Sequence, residues 1–119
     1  MLVNVTRNKC LATKLRIADS FFSRLKGLLG TDCLLEGTAL LITPCSSVHA
    51  FGMTYPLDVL FIGVDHKVLK IATSLRPGRI AWCGKGRYVV ELPAGAIEAS
   101  QTQVGDEIRL ICSSDENPV

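Results

Sequence analysis

Cys45, His49, Met53 and Asp58 fall in one short stretch, Pro44-Cys45-Ser46-Ser47-Val48-His49-Ala50-Phe51-Gly52-Met53-Thr54-Tyr55-Pro56-Leu57-Asp58. In an extended chain, Cys45, Ser47, His49, Phe51 and Met53 share one face, and the small residues Ser46, Val48, Ala50 and Gly52 share the other. Thiol, imidazole and thioether together suit copper(I) or zinc. At strand spacing, however, Cys45 and His49 stand roughly 13 Å apart, so one ion could reach both only if the chain bent near Ser47. A satisfied histidine beside core Cys, Phe and Met needs no such bend. The expectation is therefore no metal and no cofactor.

Two catalytic arrangements can also be drawn. Cys45 or Cys83 could act as a thiol nucleophile activated by His49, with Asp58 fixing the imidazole tautomer. Asp58 and Glu91 could instead serve as general acid and base. Asp58 lies inside the apolar run Leu57-Val59-Leu60-Phe61-Ile62, where a carboxylate is costly unless a cation or backbone N–H groups meet it. Arg24 is a candidate cation, and a cap on the turn around Tyr55-Pro56 is the structural alternative. Parity groups Glu91 with Val89, opposite Tyr88, Val90 and Leu92, and predicts that it faces water. Arg76, Arg79, Lys85 and Arg87, interleaved with Trp82 and Tyr88, could stack bases and hold phosphates.

The whole chain limits these options. It has 119 residues with a formal net charge of +2, 48% hydrophobic and 20% charged. That is an ordinary globular composition, and the small charge argues against a nucleic-acid partner. No apolar run approaches the roughly 20 residues of a membrane span. The N-terminal residues lack the pattern of a secretory signal, which predicts a cytoplasmic location. The five cysteines form no CxxC pair and read as reduced, small buried hydrophobes, with a Cys45–Cys83 disulfide left open.

The elements follow from periodicity. Alternation over 10–18 predicts a half-buried strand. Phe21, Phe22, Leu25, Leu28 and Leu29 recur at helical steps, with Asp19 or Ser20 as cap and Gly30 as terminator. Strands are predicted over 37–43, 47–51, 57–63, 68–72, 87–92 and 108–112. A turn at Val64-Asp65-His66-Lys67 joins two of them into a hairpin, with Asp65 capping the backbone. Pro93-Ala94-Gly95 opens a short helical turn. The expected fold is α+β: a small curled, barrel-like, mostly antiparallel sheet of six to seven strands with one main amphipathic helix. It is expected to form a single domain over 1–112, followed by a polar tail over 113–119.

Several segments together resemble a known family. They are Phe21-Phe22-Ser23-Arg24-Leu25-Lys26-Gly27-Leu28-Leu29-Gly30, Pro44-Cys45 through Met53, Pro56-Leu57-Asp58-Val59-Leu60-Phe61-Ile62, Val90-Glu91-Leu92-Pro93-Ala94-Gly95 and Val104-Gly105-Asp106. In this order they resemble the bacterial and archaeal domain of unknown function 192. The chain departs from it in having Thr54-Tyr55 before the proline and Gly63 after the central strand. The resemblance implies a small α+β fold with a curled sheet and no established activity. The expected function is a non-enzymatic accessory domain binding a small molecule or protein in a pocket near 45–58, with Arg24, His49, Met53 and Asp58 at its lining. The alternatives are a thiol enzyme (Cys45 or Cys83 with His49), a carboxylate enzyme (Asp58 with Glu91) and soft-metal binding.

Overall fold

The computed structural model describes residues 1–18, 36–43, 47–49, 56–76 and 79–111. In chain order the strands are β1 (Leu2–Asn4), β2 (Lys9–Ala12), β3 (Lys14–Ala18), β4 (Thr38–Ile42), β5 (Ser47–His49), β6 (Leu57–Ile62), β7 (Val68–Leu75), β8 (Ile80–Trp82), β9 (Tyr88–Pro93) and β10 (Ile108–Leu110). One described helix, α1 (Ala96–Ser100), precedes β10. The strands form sheets ordered β10-β1-β2, β3-β4-β9-β6-β7 and β5-β8. This is an α+β fold, but among the described residues each sheet has two open edges rather than closing into a barrel. Ten strands replace the six or seven expected, and the helix predicted from Phe21 to Leu29 lies outside the described residues.

β6 is an interior strand because its composition requires it to be. All six of its residues are buried, and a strand apolar on both faces needs a layer on each side. Leu60 and Ile62 join Ala39, Leu41, Val90, Leu92, Ile97 and Ile108 in one core cluster. Leu57, Val59 and Phe61 join Leu40, Ile42, Ala81 and Val89 in the other. Strand parity thus divides the five-stranded sheet into two buried faces.

The β6–β7 hairpin forms as predicted and runs on to Leu75. His66 N donates to the Gly63 carbonyl at 3.0 Å, and Gly63 N donates to the Lys67 carbonyl at 3.0 Å. Asp65 Oδ1 accepts from Lys67 N at 3.2 Å, the local capping its position suggested.

The strand expected over 10–18 divides at Thr13. Both Thr13 N and Lys14 N donate to the Gly37 carbonyl, at 2.9 and 3.1 Å. This non-local anchor sends β2 into one sheet and β3 into another, where β3 runs parallel to β4. Ile17 of β3 is 63% exposed. β1 and β8, of three residues each, were not among the predicted strands.

Phe61 is fully buried. Phe61→Ala is expected to lower the unfolding free energy by roughly 3–5 kcal/mol. Val64→Ala in the adjacent exposed turn should change it by less than about 0.5 kcal/mol. Urea denaturation of both variants measures the difference.

Candidate functional site

The carboxylate embedded in β6 is met by backbone N–H groups. Asp58 is 1% exposed. Its Oδ1 accepts from Ser74 N at 2.8 Å, and its Oδ2 accepts from Gly95 N and Ile97 N, each at 3.0 Å. The first N–H groups of a helix have no partner within the helix. Asp58 supplies one from a neighbouring strand, in charge-assisted bonds that a neutral acceptor would make more weakly. Gly95, at φ 96, turns the chain from β9 into α1; that left-handed conformation suits a residue without a side chain.

Glu91 lies on the other face. It stands in register with Val59 and Leu40, both in the cluster opposite Leu60 and Ile62. The predicted grouping with Val89 is correct, but the predicted exposure is not, since Glu91 is 0% exposed. The second core layer covers the side that the sequence left to water. Asp58 and Glu91 therefore sit on opposite faces of one sheet and do not converge on a common substrate position.

The remaining expected residues divide by location. Arg24, Cys45 and Met53 lie outside the described residues. His49 is in β5, whose backbone pairs with β8 in the register Ser47↔Trp82, Val48↔Ala81 and His49↔Ile80. Cys83 follows β8 as a half-buried free thiol, and Cys10 is free but exposed, unlike the buried cysteines expected. Among the described residues, no three His, Cys, Asp or Glu side chains gather to hold a metal ion.

Two polar groupings had escaped the sequence reading. The first is built on Asp106, whose Oδ2 accepts from Asn4 Nδ2 at 2.9 Å, Arg7 Nε at 2.6 Å and Gln103 N at 2.9 Å. Asn4 also donates to Thr102 Oγ1 at 3.1 Å, extending the network to Ser100. Burial alone would raise the Asp106 pKa. The hydrogen bonds from Asn4, Gln103 and Arg7, with the Arg7 charge, outweigh it and hold the carboxyl below its ordinary value. The second grouping is His66, Tyr88 and Arg109, where His66 Nδ1 lies 3.2 Å from the Tyr88 hydroxyl. The turn pattern drew attention to Asp65 and passed over its neighbour. A separate recess of about 650 Å³ opens between β2, the Glu36–Gly37 turn and the start of α1.

The family model DUF192, described as "Uncharacterized ACR", matches residues 2–110. The chain belongs to the DUF192 family. A UPF0127 protein of Thermococcus sibiricus is 33% identical, over 91% of this chain and 73% of that protein. A UPF0127 protein of Pyrococcus horikoshii is also 33% identical, over 92% of this chain and 97% of its own length. Among solved structures, a protein of unknown function from Novosphingobium aromaticivorans superimposes with a TM-score of 0.72 at 21% identity, over 81% of this chain and 74% of that one. That likeness concerns the fold. In this DUF192 chain, Asp58, Gly95 and Asp106, all from family-like segments, meet backbone or network partners that hold the fold.

Asp58→Ala strips three N–H groups of their acceptor and is expected to cost about 3 kcal/mol or more. Glu98→Ala, exposed on the same helix, should cost less than about 0.5 kcal/mol; urea denaturation compares them. For Asp106, the folded-state pKa lies below the unfolded one. Its contribution is complete above the ordinary aspartate value of about 3.9 and fades as pH falls through the folded-state value. The denaturation midpoint should drop on acidification from about pH 6 to 3, and Asp106→Asn should flatten that slope.

Proposed function

We propose that this chain is a non-enzymatic binding module that takes an acidic protein segment on the β5–β8 ribbon and the basic surface beside it. The observation that carries this reading is the β5–β8 pairing. It joins the strand bearing His49 to the strand bearing Trp82, and so joins the two stretches that the sequence singled out separately. Trp82 is 64% exposed. Lys70 Nζ donates to the Trp82 carbonyl at 2.9 Å and lies 5.4 Å from the centroid of its ring. From Lys67 to Val90, the only charged side chains are Lys67, Lys70, Arg76, Arg79, Lys85 and Arg87. All six are exposed.

An exposed tryptophan flanked by arginines has the composition of an interface hot spot. The exposed cations of this run favour an acidic partner and speed its approach. The net charge of +2 is modest for a phosphate-binding surface, which favours an acidic protein over a nucleic acid. Ligand-facing roles for Arg24, His49 and Met53 belong to the same reading, as does a cytoplasmic location. Asp58 belongs to the scaffold beneath the surface.

Trp82 is the only tryptophan, so intrinsic fluorescence reports on this site directly. Titration with a glutamate-rich peptide at about 0.15 M salt should give a saturable change. Trp82→Phe and the pair Lys70→Glu with Arg79→Glu should weaken binding about thirtyfold or more, as hot-spot losses do, with unchanged circular dichroism. A labelled peptide provides the readout for Trp82→Phe. No saturation, or tighter binding of a single-stranded oligonucleotide, would refute the acidic-protein reading.

A further inference from the structure

The strain in the β6–β7 turn points to a second site. His66 adopts φ 65, a left-handed conformation that glycine or asparagine adopts readily and that costs other residues about 1–2 kcal/mol. In a hairpin closed by Gly63 and Lys67, glycine would normally take this position. Non-glycine residues held in such conformations cluster at functional sites. Here the conformation brings the imidazole to Tyr88, with ring centroids 6.0 Å apart.

His66 and Tyr88, together with Leu41, Thr43, Arg109 and Leu110, line a recess of about 270 Å³. Its volume falls just below the ~300–1,000 Å³ of pockets that hold drug-sized ligands. Two leucines supply apolar walls; a hydroxyl, an imidazole, a phenol and a guanidinium supply polar edges. We propose that this recess binds a small aliphatic or aromatic carboxylate, with the carboxylate held by Arg109 and by His66, which Tyr88 orients, and the hydrocarbon part lying against Leu41 and Leu110. This site goes beyond the surface proposed above and shares none of its residues.

The donor arrangement favours a planar anion. Glu107 Oε2 accepts from Arg109 Nε at 2.7 Å, which fixes the guanidinium by one edge. The two Nη amines make no hydrogen bond among the described residues, and a guanidinium fork matches a carboxylate in a two-point contact. Burial pushes the Tyr88 pKa up, against a smaller opposing effect of the Arg109 charge. The phenol therefore keeps its proton near neutral pH. Where it donates that proton to His66 Nδ1, the neutral imidazole carries its own on Nε2, which is then a second donor. Glu107 and Asp65 are the acidic residues beside the recess; Glu107 is already engaged with Arg109, and Asp65 with Lys67 N.

The test is titration of the folded protein with benzoate, benzamide and inorganic phosphate at millimolar concentration, followed by amide chemical shifts. Benzoate should give saturable shifts at His66, Tyr88, Arg109 and Leu110, while the uncharged isostere benzamide gives none. Arg109→Gln should weaken benzoate about tenfold or more. His66→Gly should do the same while leaving the denaturation midpoint unchanged or higher, because glycine relieves the backbone strain. The proposal is overturned by no saturation with benzoate, equal shifts with benzamide, unaltered affinity in both variants, or saturation by phosphate alone. The outcome is independent of acidic-peptide binding at Trp82, so either reading can fail without the other.

Discussion

The organisation of the molecule depends on how one buried negative charge is neutralised. A carboxylate in a fully buried strand could be met by a cation, with a compensating charge held in the core. Three backbone N–H groups meet Asp58 instead, from β7 and from the start of α1. A single side chain of β6 thereby fixes the outer strand on one side and the corner after β9 on the other. Because α1 is only five residues long, it has little stability of its own. Its position rests on this carboxylate and on Ile97, which packs into the same core layer. The oxygens that made Asp58 look available for chemistry are committed to holding the backbone.

What could be read from the sequence was what is decided locally. The β6–β7 hairpin and the Asp65 capping bond were legible, since turn chemistry and two apolar runs specify them within a dozen or so residues. The need of Asp58 for a cation or N–H partners was also legible. The identities of Ser74, Gly95 and Ile97 were not, because they arrive from distant parts of the chain. Glu91 marks the boundary clearly. Its side of the strand follows from parity, but whether that side is wet depends on a second layer that includes Ala81 of β8. The break at Thr13 has a similar origin, since the Gly37 carbonyl that causes it lies outside the local pattern. His66 was missed because its unusual backbone angle leaves no mark in residue type.

Membership of DUF192 sits naturally with these observations. Pro56-Leu57-Asp58 and Pro93-Ala94-Gly95 meet at the Asp58 carboxylate, and Val104-Gly105-Asp106 supplies the acceptor that binds Asn4, Arg7 and Gln103. Three of the segments that resemble the family thus join one element to another. Resemblance of this kind carries the fold and leaves the ligand to side chains elsewhere. The exposed cations around Trp82 and the residues lining the recess beside His66 lie outside these segments.

The edge where the two ends of the described chain meet has a consequence for how the molecule is made. Met1 and Ile111 exchange backbone hydrogen bonds, at 3.2 and 2.8 Å, and β1 is sandwiched between β2 and β10. One edge of β1 therefore stays unfilled until β10, at the far end of the described chain, has been synthesised. The intervening segments can gather during translation, but closure of this seam must follow the emergence of β10. Pairings this distant in sequence slow the approach to the native state, and in the interval β1 is a bare strand edge that must be kept from pairing with other chains.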